Sequence, residues 1–194
     1  MAAPNGDGTD VVVFPERECS IQRRNQKVIE ETPSCLLSEE TRLKMAEQVR
    51  KLCQAVSYQS AGTVEFLVDE NQNFYFLEMN TRLQVEHPVT EEVCNGVDLV
   101  KAMLWVGAGW GLPDELKPYT QGIMPYDGHA IEARIYAEDP LRGFLPSTGP
   151  LTQYAEPSTA NNTADSYVRC DSGVEVGHVG TCCCGFALIH TSYH

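Results

Sequence analysis

The stretch Glu78-Met79-Asn80-Thr81-Arg82-Leu83-Gln84-Val85-Glu86 places a hydrogen-bonding side chain at every second position. In an extended chain alternate side chains share a face, so Glu78, Asn80, Arg82, Gln84 and Glu86 align, with Met79, Leu83 and Val85 opposite. A solvated strand face shows the same period, so the row alone decides nothing. The segment before it changes the reading. Thr63–Val68 and Phe74–Met79 are both strand-like, and the turn-rich residues between them predict a hairpin with a loop at Glu70–Asn73. Asp69 then faces Phe74, and Glu65 lies opposite Glu78. Two carboxylates directly across a strand pair repel unless a cation sits between them. With the amide oxygen of Asn80 they form an all-oxygen set suited to Mg²⁺ or Mn²⁺. Such ions are held by a few carboxylates together with substrate phosphates, which points to a nucleotide. Arg82 offers a planar fork of donors to a small anion, and Glu86 is placed to act as a general base. A register slip of one residue would turn Glu65 to the other side.

Several elements must position this row. The first ten residues read as polar and poorly ordered, followed by a short strand at Val11-Val12-Val13-Phe14. Glu16 to Glu31 is dense in polar side chains. Ser38 is a helix cap, Glu39 and Glu40 suit the positive helix start, and Leu43, Ala46, Val49, Cys53 and Val56 recur at helical spacing. A second helix is expected from the cap Asp98 through Val106, closing at Gly107 and Gly109. Trp110–Asp127 is a boundary rich in glycine and proline, and Ala130–Ala137 reads as a strand carrying Glu132 and Arg134 on one face. After Gly149 the chain turns irregular.

Composition narrows the class. The 194 residues carry 14 Lys+Arg against 27 Asp+Glu, a formal charge of −13. That balance argues against binding to nucleic acid or an anionic membrane, both of which need positive surface. No apolar run approaches the roughly 20 residues of a membrane span. The eight cysteines form no C-x-x-C pair, and the run Cys182-Cys183-Cys184 lacks zinc-site spacing, so free thiols are expected.

Glu78-Met79-Asn80-Thr81-Arg82-Leu83-Gln84-Val85-Glu86-His87-Pro88-Val89-Thr90 resembles the signature of biotin carboxylases, within the ATP-grasp superfamily. Glu16 to Lys27 resembles the same family's nucleotide-side segment, and Gly128 to Pro140 its C-terminal subdomain. In detail the chain is similar to the propionyl-CoA type of acyl-CoA carboxylase, with the methylcrotonoyl-CoA and acetyl-CoA types close competitors. The resemblance implies an α/β (α+β) fold, an antiparallel sheet with flanking helices, forming the C-terminal half of an ATP-grasp domain. It implies a division into residues 5–109, a truncated C-terminal subdomain at 127–177 and a divergent tail at 178–194. The implied reaction is ATP-dependent carboxylation of biotin by bicarbonate. Glu65, Glu78 and Asn80 would hold the divalent ions. Glu86 would take the bicarbonate proton, and Arg134 would stabilise the biotin enolate. Arg82, Gln84, Lys27 and the backbone of Val85 would hold bicarbonate, with Gln22, Asn25 and Leu67 on the nucleotide side. At Asn25 the family usually carries histidine, which puts that contact in doubt, and His87 reads as structural.

The implied cofactors are ATP, Mg²⁺ or Mn²⁺, and biotin on a carrier domain outside this chain. The implied partners are that biotin carboxyl carrier domain and a carboxyltransferase subunit, in an assembly that is oligomeric when complete. The compartment would be the mitochondrial matrix in a eukaryote and the cytoplasm in a bacterium. No glycine-rich phosphate loop and no biotin-attachment lysine motif is present. The alternative is therefore a catalytically silent fragment with a binding or assembly role.

Overall fold

The computed structural model describes residues 1–5, 8–158, 162–163, 166–180 and 184–191, with side chains described only up to residue 179. Its main sheet has five strands, all antiparallel. Strands β3 (Glu18–Arg23) and β4 (Gln26–Thr32) form a hairpin closed by Arg24 and Asn25, whose φ values of 51° and 64° build a two-residue turn suited to strand twist. The polar run read from the sequence is thus a hairpin. Beyond a long excursion, β7 (His129–Tyr136) returns to pair with β4, followed outward by strands Cys184–Thr191 and Ser166–Ser172. The ladder between β4 and β7 crosses the boundary expected at 110–127. Strand Cys184–Thr191 lies in the stretch read as a divergent tail, while Cys182 and Cys183 lie outside the described residues.

A separate hairpin carries β5 (Thr63–Val68) and β6 (Phe74–Asn80). Helix α1 (Glu39–Ala55) starts where Ser38 accepts a hydrogen bond from the Thr41 amide, with Glu39 and Glu40 in its first turn. Its buried face matches the expected one only in part, with Val49 also packed beside Cys53. Ala46 and Cys53 are inside, but so is Arg50, while Leu43 and Val56 are exposed. Arg50 is tolerated there because it donates to the carbonyls of Thr120 (3.1 Å) and Gly122 (2.6 Å). Helix α3 (Leu99–Gly107) is capped by Asp98 as expected. Helix α2 (His87–Val93), with Pro88 in its first turn, was not anticipated. It packs across β4 and β7 and buries Val89 and Val93 in the core with Ala102, Val106 and Leu116.

The N-terminus also departs from expectation. Ala2–Asn5 and Gly8–Val11 form strands β1 and β2, with Met1, Ala2 and Ala3 buried. Only Val11 of the expected Val11–Phe14 strand lies in a ladder. The chain stays tied nonetheless, because the Val12 amide donates to Met1 and the Val13 carbonyl accepts from the Met124 amide. No helix among the described residues is long and apolar enough to cross a membrane.

Candidate functional site

Three segments far apart in sequence meet at one buried cluster. β6 ends at Asn80, and residues 81–86 turn back rather than continue the extended row. The His87 amide and ring Nδ1 both approach the Gln84 carbonyl (3.2 and 3.0 Å), which pins this turn and gives His87 a structural job. The turn aims Gln84 and Glu86 inward, 5% and 2% exposed, and leaves Arg82 and Val85 outside.

Glu86 is the hub. Its Oε1 accepts from Lys27 Nζ at 2.7 Å and its Oε2 from Arg134 Nη2 at 2.9 Å. Lys27 also donates to Glu65 Oε1 at 2.9 Å. That oxygen accepts further bonds from Gln84 Nε2 (2.9 Å) and Asn80 Nδ2 (3.1 Å). Burial works to raise the Glu86 carboxyl, but the Lys27 hydrogen bond and the charge of Arg17 outweigh it and hold it below the usual carboxylate range. Burial likewise opposes ionisation of Glu65, and the bonds from Lys27 and Gln84 overcome it. Burial would lower the Lys27 amine, yet its two carboxylates raise it. All three groups are therefore charged at neutral pH.

Arg17, not singled out from the sequence, orients this cluster. Its guanidinium donates to Gln84 Oε1 (2.7 Å), Thr63 Oγ1 (2.9 Å) and Thr90 Oγ1 (3.0 Å). It thereby ties the turn, β5 and α2 together. Its only sequence signal was a place in the polar run Glu16-Arg17-Glu18.

Glu65 and Glu78 are cross-strand partners on β5 and β6. Both approach Asn80 Nδ2, at 3.1 and 2.8 Å, so their oxygens converge on one point. The donor end of the amide stands there, where a cation would balance the two carboxylates. Amide orientation is interchangeable with rotation, and the turned amide would present oxygen to the same point. This set fits a hard divalent ion. It contains two carboxylates, and no group of three or more His, Cys, Asp and Glu side chains able to hold a metal occurs among the described residues.

Beside the cluster opens a cavity of about 750 Å³, walled by Phe14, Met45, Val64, Phe66 and Leu67 and floored by Lys27, Glu65 and Glu86. Gln22 and Arg82 also line it. Arg82 is exposed and donates to the Leu83 carbonyl at 3.1 Å, and Gln22 to that of Cys19 at 2.8 Å. The structure thus gathers Lys27, Glu65, Glu78, Asn80, Gln84, Glu86 and Arg134, and puts Arg82, Gln22 and Leu67 on the cavity wall. Val85 stands outside, and Asn25 occupies the β3–β4 turn. An apolar wall can take a flat ring, and an anionic tail would need a cation between it and the carboxylates of the floor.

Residues 5–115 match the family described as carbamoyl-phosphate synthase L chain, ATP binding domain. The chain is 58% identical over 163 residues to the mitochondrial propionyl-CoA carboxylase alpha chain of Caenorhabditis briggsae, covering 84% of this chain and 21% of that one. It is 63% identical over 147 residues to the propionyl-CoA carboxylase alpha chain of Ruegeria pomeroyi, covering 76% and 21%. The chain thus spans about a fifth of the length of these curated relatives. The biotin carboxylase domain of Hydrogenobacter thermophilus 2-oxoglutarate carboxylase, solved with MgADP, ADP and bicarbonate, superposes with a TM-score of 0.78 at 39% identity, covering 92% of this chain and 38% of that one. On the match over residues 5–115, this identity and this superposition, the chain belongs to the ATP-grasp family, in its biotin carboxylase branch.

Proposed function

We propose that this chain carries the metal, bicarbonate and biotin side of a biotin carboxylase of the propionyl-CoA type, catalysing ATP-dependent carboxylation of biotin when joined to the remaining parts. The observation that carries the reading is Glu86. It is a buried carboxylate, 2% exposed, held between Lys27 and Arg134 beside an open cavity. A general base must be ionised and oriented, and Glu86 is held in both respects at the cavity wall, which supports this role.

In this reading ATP enters the cavity with its ring against Phe66 and Leu67 and its phosphates toward Glu65. A divalent ion held by Glu65, Glu78 and Asn80 would neutralise phosphate charge. Lys27, Arg82, Gln84 and the Val85 amide hold bicarbonate beside Glu86, whose carboxylate takes the bicarbonate proton as a bicarbonate oxygen attacks the γ-phosphate, ADP leaves and carboxyphosphate forms. Arg134 then stabilises the oxyanion of the biotin enolate, a role suited to a fixed cation in a water-poor site. The substrates are ATP, bicarbonate and biotin on a carrier domain. A carboxyltransferase subunit completes the assembly, in the mitochondrial matrix or in a bacterial cytoplasm according to source.

The test is a chimera in which residues 5–177 replace the matching segment of the Ruegeria alpha chain. Bicarbonate-dependent ATP cleavage should survive the graft and fall by a factor of about 10² or more in Glu86→Gln, the range for loss of a general base. Activity within about threefold of the unsubstituted chimera would remove Glu86 from that role. A silent graft that still folds would favour a binding or assembly role.

A further inference from the structure

Behind Glu86 lies a feature that the proposed chemistry leaves unused. Glu30 on β4 and Glu132 on β7 are directly paired across the ladder, and both are fully buried. Among the described residues Glu132 has no hydrogen-bond partner on either oxygen, and Glu30 has nothing beyond its ion pair with Arg134. Among the described residues their one close cation is Arg134, whose Nη2 lies 2.5 Å from Glu30 Oε1 and also serves Glu86. The Nε of Arg134 is buried and unpartnered as well. Paired cross-strand side chains stand about 5 Å apart at Cβ, so the two carboxyls share one dry space.

Two buried carboxylates in that space would be very costly. Ionised carboxyls without hydrogen bonds resist burial strongly, and like charges at this separation push one of the pair to keep its proton. The surrounding charges do not relieve them. Facing the pair are Arg134 from β7, Lys27 from β4, Glu86 from the turn before α2, and Arg17 from the segment before β3. Lys27 is already spent on Glu65 and Glu86, and Arg17 on Gln84, Thr63 and Thr90. On α2, His87 and Glu91 face each other and Glu92 pairs with Arg169. On the far side of β7 the register pairs Leu188 with Glu132. Four carboxyls, Glu30, Glu65, Glu86 and Glu132, therefore meet three cations, Arg17, Lys27 and Arg134, and one added proton makes the set neutral.

We propose that Glu30 and Glu132 hold one proton between them at neutral pH, forming a carboxyl pair that positions the Arg134 guanidinium against Glu86. The protonated carboxyl supplies the donor that the pair lacks, and the ionised one anchors Arg134 from below. A second anion there would cancel the positive field that Arg134 presents to substrate. Burial and the Glu30 charge also act on Glu132 in this direction, raising its carboxyl to about 8. The proton and the anchoring stand on this geometry alone. Only their consequence for catalysis rests on the biotin carboxylase reading.

Carboxyl-carbon NMR of the chain labelled at glutamate tests the proton directly. One glutamate carboxyl should titrate about three pH units above the others, and its signal should vanish in Glu132→Gln or Glu30→Gln. If every glutamate of the folded wild type titrates in the ordinary acid range, the proposal is overturned. That wild-type titration decides the matter even if a variant does not fold. In the Ruegeria chimera, kcat for bicarbonate-dependent ATP cleavage should decline above about pH 8, and Glu132→Gln should move that limb upward by about one unit or more. An unmoved limb in an active variant would refute the link to Arg134. An inactive chimera with the NMR signal present would sink the functional reading and leave the carboxyl pair standing.

Discussion

Replacing Lys27 with Met keeps most of the aliphatic stem and deletes the ammonium between Glu65 and Glu86. The side chains of Lys27, Glu65 and Glu86 are 18%, 23% and 3% exposed, so the trio is neither a surface pair nor a sealed one. Exposed pairs contribute about 0–1 kcal/mol, and breaking a buried pair costs about 3–5 kcal/mol. Here the surviving carboxylates keep partners, Arg134 for Glu86 and the amides of Gln84 and Asn80 for Glu65. A loss of about 2–3 kcal/mol follows, or roughly 6–9 °C in Tm for a chain of this size. Urea unfolding followed by circular dichroism at pH 7 measures it. The sign with pH is determined too. Both carboxyls sit below their ordinary value of 4.5 in the folded state, so their pairing stabilises above that pH and fades as they protonate below it. The gap between wild type and Lys27→Met should be full at pH 7 and close below about pH 4.5. A gap under about 0.5 kcal/mol at pH 7, or one that persists unchanged at pH 3, would show that Lys27 does not hold the cluster electrostatically.

Arg17→Ala should cost about 2–4 kcal/mol by urea unfolding, because three charge-assisted bonds to Gln84, Thr63 and Thr90 go at once, and a loss below about 1 kcal/mol would contradict its role as a tie. Millimolar Mn²⁺ should raise the unfolding midpoint of the chain, and Glu78→Gln should abolish the rise; an equal rise in that variant would move the ion elsewhere. Among the described cysteines, exposed Cys35 should be alkylated first by iodoacetamide at pH 8. Cys94, whose thiol burial pushes up to about 12, should react only on unfolding, and half-buried Cys19, pushed up to about 11, more slowly than Cys35, as read by peptide mass analysis with and without urea.

Local rules acting over a few residues were legible. Ser38 and Asp98 cap their helices because a short side-chain oxygen can reach an amide three residues on. Alternation and turn residues marked the β5–β6 hairpin, and the Glu65–Glu78 pairing agrees with the register read from sequence, though by another route. The loop begins at Asp69, whose amide donates to the Asn73 carbonyl, so Val68 rather than Asp69 faces Phe74. A register shift between Glu65 and Phe66, whose partners are Glu78 and Phe76 respectively, restores the opposition of the two glutamates. Such a bulge carries no sequence marker, because it answers to twist and packing. Similarly, the polar row was visible as far as Glu86, but its turn after Asn80 and the start of α2 were not.

Residue types alone therefore determined which groups could do chemistry and which short elements carry them. The tertiary structure decided which of those groups meet and in what charge state. Lys27, Glu86 and Arg134 come from three segments that only sheet pairing and the packing of α2 bring within hydrogen-bond reach. Glu30 and Glu132 look like ordinary strand glutamates until β4 and β7 pair and exclude water from both. Desolvation and like-charge repulsion depend on what surrounds a carboxyl in space, and no spacing along the chain encodes that.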